Sequence, residues 1–206
     1  MSAPQAERWL AKACPVMRKA VKAHPPWPGA SRADNPDPYA ALFRAVVYQQ
    51  LSGKAAATIL GRTVALFPGA EIPPPAAFLE ADPETLRGAG LSRQKQAALK
   101  DLAQKRLEGV VPDAAHVAPL ADEEIVARLT AVRGVGLWTV QMYLMFTLGR
   151  PDIWPHDDLG VRNGVERLYG EKLAPKALKA FGDRYAPFRS AAAWHCWRAV
   201  DTVVVG

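Results

Sequence analysis

Three residues, Gly134-Val135-Gly136, constrain the fold of this 206-residue chain more than any other stretch. Leu129 and Val132 precede them and Val140 and Leu144 follow, each pair at the spacing that puts apolar side chains on one face of a helix. Glycine at both ends of the turn permits positive φ and a close approach of bare backbone to a ligand. The two helices can therefore pack as a helix-hairpin-helix over about 129–140. Such a turn leaves amides at the start of the second helix, which together form an anion site. For a chain of net charge +6 and pI near 9.5, the phosphodiester of a nucleic acid is the fitting anion.

The remaining periodicity is helical as well. It predicts helices over 4–23, with Pro15 splitting the segment, and over 39–50, 54–67, 92–108, 138–148, 157–168, 175–185 and 188–200. Shorter ones fit 76–80 and 83–88, and Asp122 opens a helix that leads into the hairpin, its Asp-Glu-Glu start suiting a helix N-terminus. Five prolines from Pro25 to Pro38 mark a long irregular connection, and Pro73-Pro74-Pro75 a surface linker. No stretch alternates with period two. The fold class is all-α.

Composition narrows the compartment and the chemistry. No apolar run is long enough to span a membrane and no signal-like start is evident, so a cytoplasmic protein is expected, nucleoid-associated in a bacterium. Cys14 and Cys196 are too few for a disulfide framework or a four-cysteine iron-sulfur cluster, and they read as buried apolar residues. Residues 1–50 carry seven Lys or Arg against three Asp or Glu, but no segment is a polycationic tail. Binding to a polyanion would rest on placed side chains and backbone amides.

Asp158, twenty-two residues after Gly136, closes the run Pro155-His156-Asp157-Asp158. Isolated, two adjacent acids before a helix are N-terminal caps. His156 beside them invites a metal reading, but His24, His116 and His195 supply no ligand spacing, so no catalytic metal and no cofactor are expected.

Gly-Val-Gly-Leu-Trp-Thr followed by Pro-His-Asp-Asp-Leu-Gly resembles the hairpin and aspartate signature of the helix-hairpin-helix DNA glycosylase superfamily, and within it the 3-methyladenine DNA glycosylase II family. Tyr48-Gln-Gln-Leu-Ser-Gly-Lys-Ala-Ala56, Gly90-Leu-Ser-Arg-Gln-Lys95 and Pro187-Phe-Arg-Ser190 extend the likeness over most of the chain, in the family's order. The resemblance implies two helical lobes with a DNA-binding cleft between them, here 1–50 with 136–206 as one lobe and 51–135 as the other. It assigns Asp158 as the catalytic acid, leaving Asp157 to cap the following helix. Superfamily members that also cut the strand carry a lysine in the hairpin block, where this chain has Trp138. A monofunctional glycosylase without lyase activity is therefore expected, excising cationic alkylated bases such as 3-methyladenine from duplex DNA. It would act as a monomer and pass its product to an abasic-site endonuclease.

An aromatic face attracts a cationic base. Trp138 leads as a pocket wall, with Trp194 and Trp197 next and Phe43 and Tyr39 behind; a core position is the alternative for each of the last four. Base flipping needs a filler for the vacated stack, and the resemblance places it on Gln50, with Leu51 second. Ser52, Arg133, Gly134, Val135 and Gly136 complete the expected DNA contacts. Lys54, Arg93, Lys95 and Arg189 are candidates for flanking phosphates. The resemblance also implies a monovalent cation on the hairpin carbonyls. Two rivals share the hairpin: a binding module without chemistry, which would have no use for Asp158, and a glycosylase for oxidised or mismatched bases, which Trp138 disfavours.

Overall fold

The computed structural model describes residues 3–29 and 36–200; of the connection expected over 24–38, residues 30–35 lie outside those described. All regular structure among the described residues is helical. The helices are α1 (Ala3–Ala13), α2 (Pro15–Ala23), α3 (Pro38–Tyr48), α4 (Gly53–Ala65), α5 (Pro75–Glu80), α6 (Pro83–Gly88), α7 (Arg93–Leu107), α8 (Ala114–Val117), α9 (Asp122–Thr130), α10 (Leu137–Phe146), α11 (Leu159–Tyr169), α12 (Pro175–Gly182) and α13 (Arg189–Ala199). A short 3-10 turn, Asp183–Tyr185, follows α12. As the sequence predicts, Pro15 separates α1 from α2. It sits at the first helical position, where its missing N–H costs nothing, and Cys14 caps the helix through its sulfur.

The chain divides into two compact units, Asp34–Tyr143 and Met1–Ala33 with Leu144–Gly206. This differs from the expected division at 50 and 136. Helix α3 belongs to the central unit because its apolar face, Leu42, Phe43, Val46 and Val47, is wholly buried there in packing with α4 and α7. Periodicity identifies the buried face of a helix but not the neighbour that covers it.

In the central unit α7 is the spine. Helices α3, α5 and α6 all pack on it, and Leu99, Leu102 and Ala103 are fully buried. Phe43 sits edge-on to Phe78 at 5.2 Å between ring centroids, and Leu86, Leu91, Ile125 and Leu129 complete the core. In the other unit α11 packs along α13. Gly164 permits that approach: a Cβ on it would lie 2.2 Å from the carbonyl oxygen of Cys196. Below this pair, Glu7 of α1 accepts a hydrogen bond from the Trp27 amide at 2.8 Å and pairs with the buried His195 of α13 at 2.7 Å. These contacts hold α1 and the chain after α2 against α13.

Candidate active site

The hairpin lies within the central unit. Helix α9 ends at Thr130, the Val135 amide donates to the Val132 carbonyl at 3.1 Å, and α10 begins at Leu137. Gly134 has φ +76°, a conformation that costs an L side chain strain, and Ala98 lies 3.4 Å from where its Cβ would be. Gly136 differs from the expectation of positive φ at both glycines. Its φ is unexceptional, and a Cβ there would meet no heavy atom within 4 Å. The protein itself does not need glycine at 136; the open space lies beside the first turn of α10, whose amides have no intrahelical acceptors. Gly134→Ala should therefore lower the melting temperature, whereas Gly136→Val should leave it unchanged and weaken binding to damaged and undamaged duplex alike. Loss of affinity for lesion-bearing DNA alone would mean that the hairpin reads the base.

Two contacts fix the turn to its surroundings. The Arg133 amide donates to Asp101 Oδ2 at 2.7 Å, and Gln49 Nε2 donates to the Gly134 carbonyl at 3.0 Å. Burial works to raise the pKa of Asp101, but the Arg133 amide and the Lys105 ammonium outweigh it and hold the carboxyl below the usual carboxylate range. Arg133 itself is exposed, as are Lys54 and Arg93, so all three present their charge to solvent. Val135 is buried.

Gln50 and Leu51 form a turn between α3 and α4, closed by the Leu51 amide on the Tyr48 carbonyl at 3.2 Å. Gln50 has φ +58°, and it is the one non-glycine residue with positive φ among those described. Leu51 is 38% exposed, and Ser52 caps α4 by accepting from the Ala55 amide. Both residues expected to fill the stack thus stand on an exposed, tightly turned loop.

Lys95 and Arg189 stand differently from the phosphate contacts expected of them. Lys95 donates to the Val47 carbonyl in the last turn of α3, and burial pulls its pKa below the usual lysine range. Arg189 makes a two-pronged pair with Asp152, Nε to Oδ1 at 2.8 Å and Nη2 to Oδ2 at 3.0 Å. Its guanidinium ties the start of α13 to the loop after α10.

The carboxylate site lies in the other unit. The structure corrects the capping assignment: Asp158, not Asp157, caps α11, its Oδ1 accepting from the Val161 amide at 2.7 Å. The reason is the turn after Pro155, whose carbonyl accepts from the Asp158 amide and sets Asp158 at the helix boundary. Asp157 is exposed, with His156 Nε2 at 3.5 Å from its Oδ2. Among the described residues no three His, Cys, Asp or Glu side chains come together as a metal site.

The same Oδ1 of Asp158 accepts a second hydrogen bond, from Trp197 Nε1 at 2.7 Å. Trp197 is 1% exposed and packs 6.1 Å from Phe146. The indole thus orients the acid rather than offering a wall to a ligand. Gly160 makes room for it: a Cβ there would lie 2.6 Å from Trp197 Cδ1 and 3.0 Å from Asp158 Oδ1. Trp194 is half-buried, with its Nε1 donating to the Pro25 carbonyl and the Arg198 guanidinium 5.0 Å over its ring. Phe43 and Tyr39 take the core alternative in the central unit, Tyr39 donating its hydroxyl to the Pro73 carbonyl. Of the expected aromatic walls, Trp138 at the start of α10 is the most open, 47% exposed.

A carboxylate fixed by two donors at a helix start can stabilise positive charge developing on a sugar, and the hairpin can hold a phosphodiester. The model of the HhH-GPD superfamily base excision DNA repair proteins matches residues 43–184, and the chain belongs to this family. Over 164 residues the chain is 38% identical to DNA-3-methyladenine glycosylase 1 of Schizosaccharomyces pombe, covering 79% of this chain and 72% of that protein. The solved structure of a 3-methyladenine DNA glycosylase from S. pombe in complex with abasic DNA matches with a TM-score of 0.80 at 34% identity, covering 94% and 95% of the two chains. A DNA-3-methyladenine glycosidase from Bacillus halodurans matches with a TM-score of 0.82 at 29% identity, covering 95% and 89%.

Proposed function

We propose that the protein is a monofunctional DNA glycosylase that removes alkylated, positively charged bases such as 3-methyladenine from duplex DNA. The observation that carries this reading is Asp158: in a chain of the base excision repair family, the acid at the signature position is held by a buried indole and a helix-start amide on one oxygen. Its negative charge stabilises the oxocarbenium-like sugar as the N-glycosidic bond breaks. Water adds to C1′, the bond's electron pair leaves with the base and cancels its positive charge, and the proton lost by the water passes to Asp158 or to solvent. The abasic product is then a substrate for an endonuclease. The relatives named for 3-methyladenine support the base assignment, and Trp138 in place of a lysine supports hydrolysis over strand cutting.

Duplexes that each carry one defined lesion, assayed for released base, test this directly. Release is expected from 3-methyladenine and none from 8-oxoguanine; the reverse order would refute the reading. Borohydride should trap no adduct, since Trp138 stands where strand-cutting members carry the Schiff-base lysine.

Trp138 gives a graded test of the charge argument. Trp138→Phe should keep part of the attraction to a cationic base, while Trp138→Leu should lose about 0.5 to 2 kcal/mol of it. Single-turnover excision of 3-methyladenine and of neutral hypoxanthine by the three proteins separates charge from packing. Equal losses on both bases would make Trp138 a packing residue.

A further inference from the structure

One face of α7 touches both DNA-facing features of the central unit. Lys95, Ala98, Asp101 and Lys105 follow one another at three- and four-residue spacing, so they form a single stripe on the helix. Lys95 holds the Val47 carbonyl at the end of α3, immediately before the turn that carries Gln50 and Leu51. Ala98 backs Gly134, and Asp101 binds the Arg133 amide while its other oxygen accepts from Lys105 at 2.7 Å. Gln49 closes the circuit. It is the C-cap of α3, and its side chain reaches the Gly134 carbonyl directly.

We propose that Gln49, with Asp101 beneath the hairpin, is a positioning residue that fixes the spacing between the Gln50–Leu51 turn and the hairpin, so that stack insertion and phosphate grip occur in register. This rests on the glycosylase reading, in which the turn fills the gap left by a flipped base. The physical case is the closed path itself. Without Gln49, the turn is referred to the hairpin less directly, through α3, Lys95 and α7. With it, the residue next to Gln50 is bonded to the backbone of the phosphate-facing loop. Gln50 must also be held at φ +58°, a conformation that only a constrained neighbourhood maintains. Gln49 touches neither base nor sugar in this account; it acts through the turn it precedes.

The test compares wild type with Gln49→Met, which has similar reach and no donor, and Gln49→Asn, whose shorter side chain cannot span to Gly134. A duplex carrying 2-aminopurine beside a tetrahydrofuran abasic site reports insertion by fluorescence, without any chemistry. Both variants should melt with wild type and bind undamaged duplex within about twofold, with the same salt dependence, because the phosphate contacts are untouched. The fluorescence change should fall by more than half, and single-turnover excision of 3-methyladenine should slow on the order of 10-fold. Unchanged fluorescence in both variants would overturn the proposal. Parallel loss of melting temperature, undamaged-duplex affinity and insertion would also overturn it, by showing a merely structural role. Should Gln49→Met fail to fold, Gln49→Asn carries the comparison. A wild-type protein that excises no lesion would refute the glycosylase reading by itself, while the fluorescence comparison would still decide for or against Gln49.

Discussion

Asp158→Asn is expected to lose base excision by about 10² to 10⁴-fold while folding as well as wild type and binding DNA equally or slightly more tightly. The stability half of this expectation comes from the geometry. Two hydrogen bonds to the side chain, from the Val161 amide and from Trp197 Nε1, end on the same oxygen, Oδ1. Asparagine retains one oxygen and caps helices as well as aspartate does, so the start of α11 survives. What disappears is the negative charge, which in the proposed mechanism serves the transition state and repels phosphate. Asp158→Ala would be a poorer test, because it also removes the cap at about 0.5 to 2 kcal/mol. Asp157→Asn supplies the contrast: its side chain is exposed and caps nothing, so stability should stay within about 0.5 kcal/mol of wild type and excision close to normal. Single-turnover rates and thermal melts of the three proteins check both halves. A larger catalytic loss at 157 than at 158 would reassign the acid.

Gly160→Ala is expected to have the second-largest effect, and it adds only a methyl group. That methyl would sit 2.6 Å from Trp197 Cδ1 and 3.0 Å from Asp158 Oδ1, so either the indole or the carboxylate has to move. Trp197 is enclosed in the core between α11 and the body of its unit, which makes the shift costly, about 1 to 3 kcal/mol. A displacement of the acid on the order of 1 Å would slow excision by about 10²-fold. Gly61→Ala in α4 is the natural control, since its added methyl also meets open space. A Gly160→Ala protein with wild-type melting and wild-type excision would show that the acid does not depend on the indole for its placement.

The helices and the hairpin were legible in the sequence because each leaves a local mark: apolar residues at helical spacing, paired glycines, acids at a helix start. What was not legible depended on partners distant along the chain. Asp157 and Asp158 look alike as caps until the turn after Pro155 sets the helix boundary. Trp197 read as a possible wall because an indole advertises its ring; its N–H, 39 residues from the acid it binds, leaves no pattern. Lys95 and Arg189 read as phosphate contacts because they are basic, yet a carbonyl and Asp152 claim them. Gln49 did leave a trace, as a polar residue ending an apolar helix, but the carbonyl it serves is 85 residues away. The same limit misplaced α3, whose buried face was evident and whose neighbours were not.

The hydrogen bond from the Tyr143 hydroxyl to the Pro36 carbonyl, 2.7 Å long, joins the point where the chain enters the central unit to the point where it leaves. A unit whose two ends meet behaves as an insert: the host sequence is interrupted once and resumes where it stopped. A gene fragment encoding that stretch with the remainder of α10 would ask whether it folds alone, and whether the hairpin and the Gln50–Leu51 turn bind duplex DNA without the acid. Modules of this kind can be transplanted, and joining the two remaining pieces with a short linker would ask whether the acid-bearing host folds around the gap. Under the proposed function, holding DNA and cutting the base free would then fall to two different stretches of one chain.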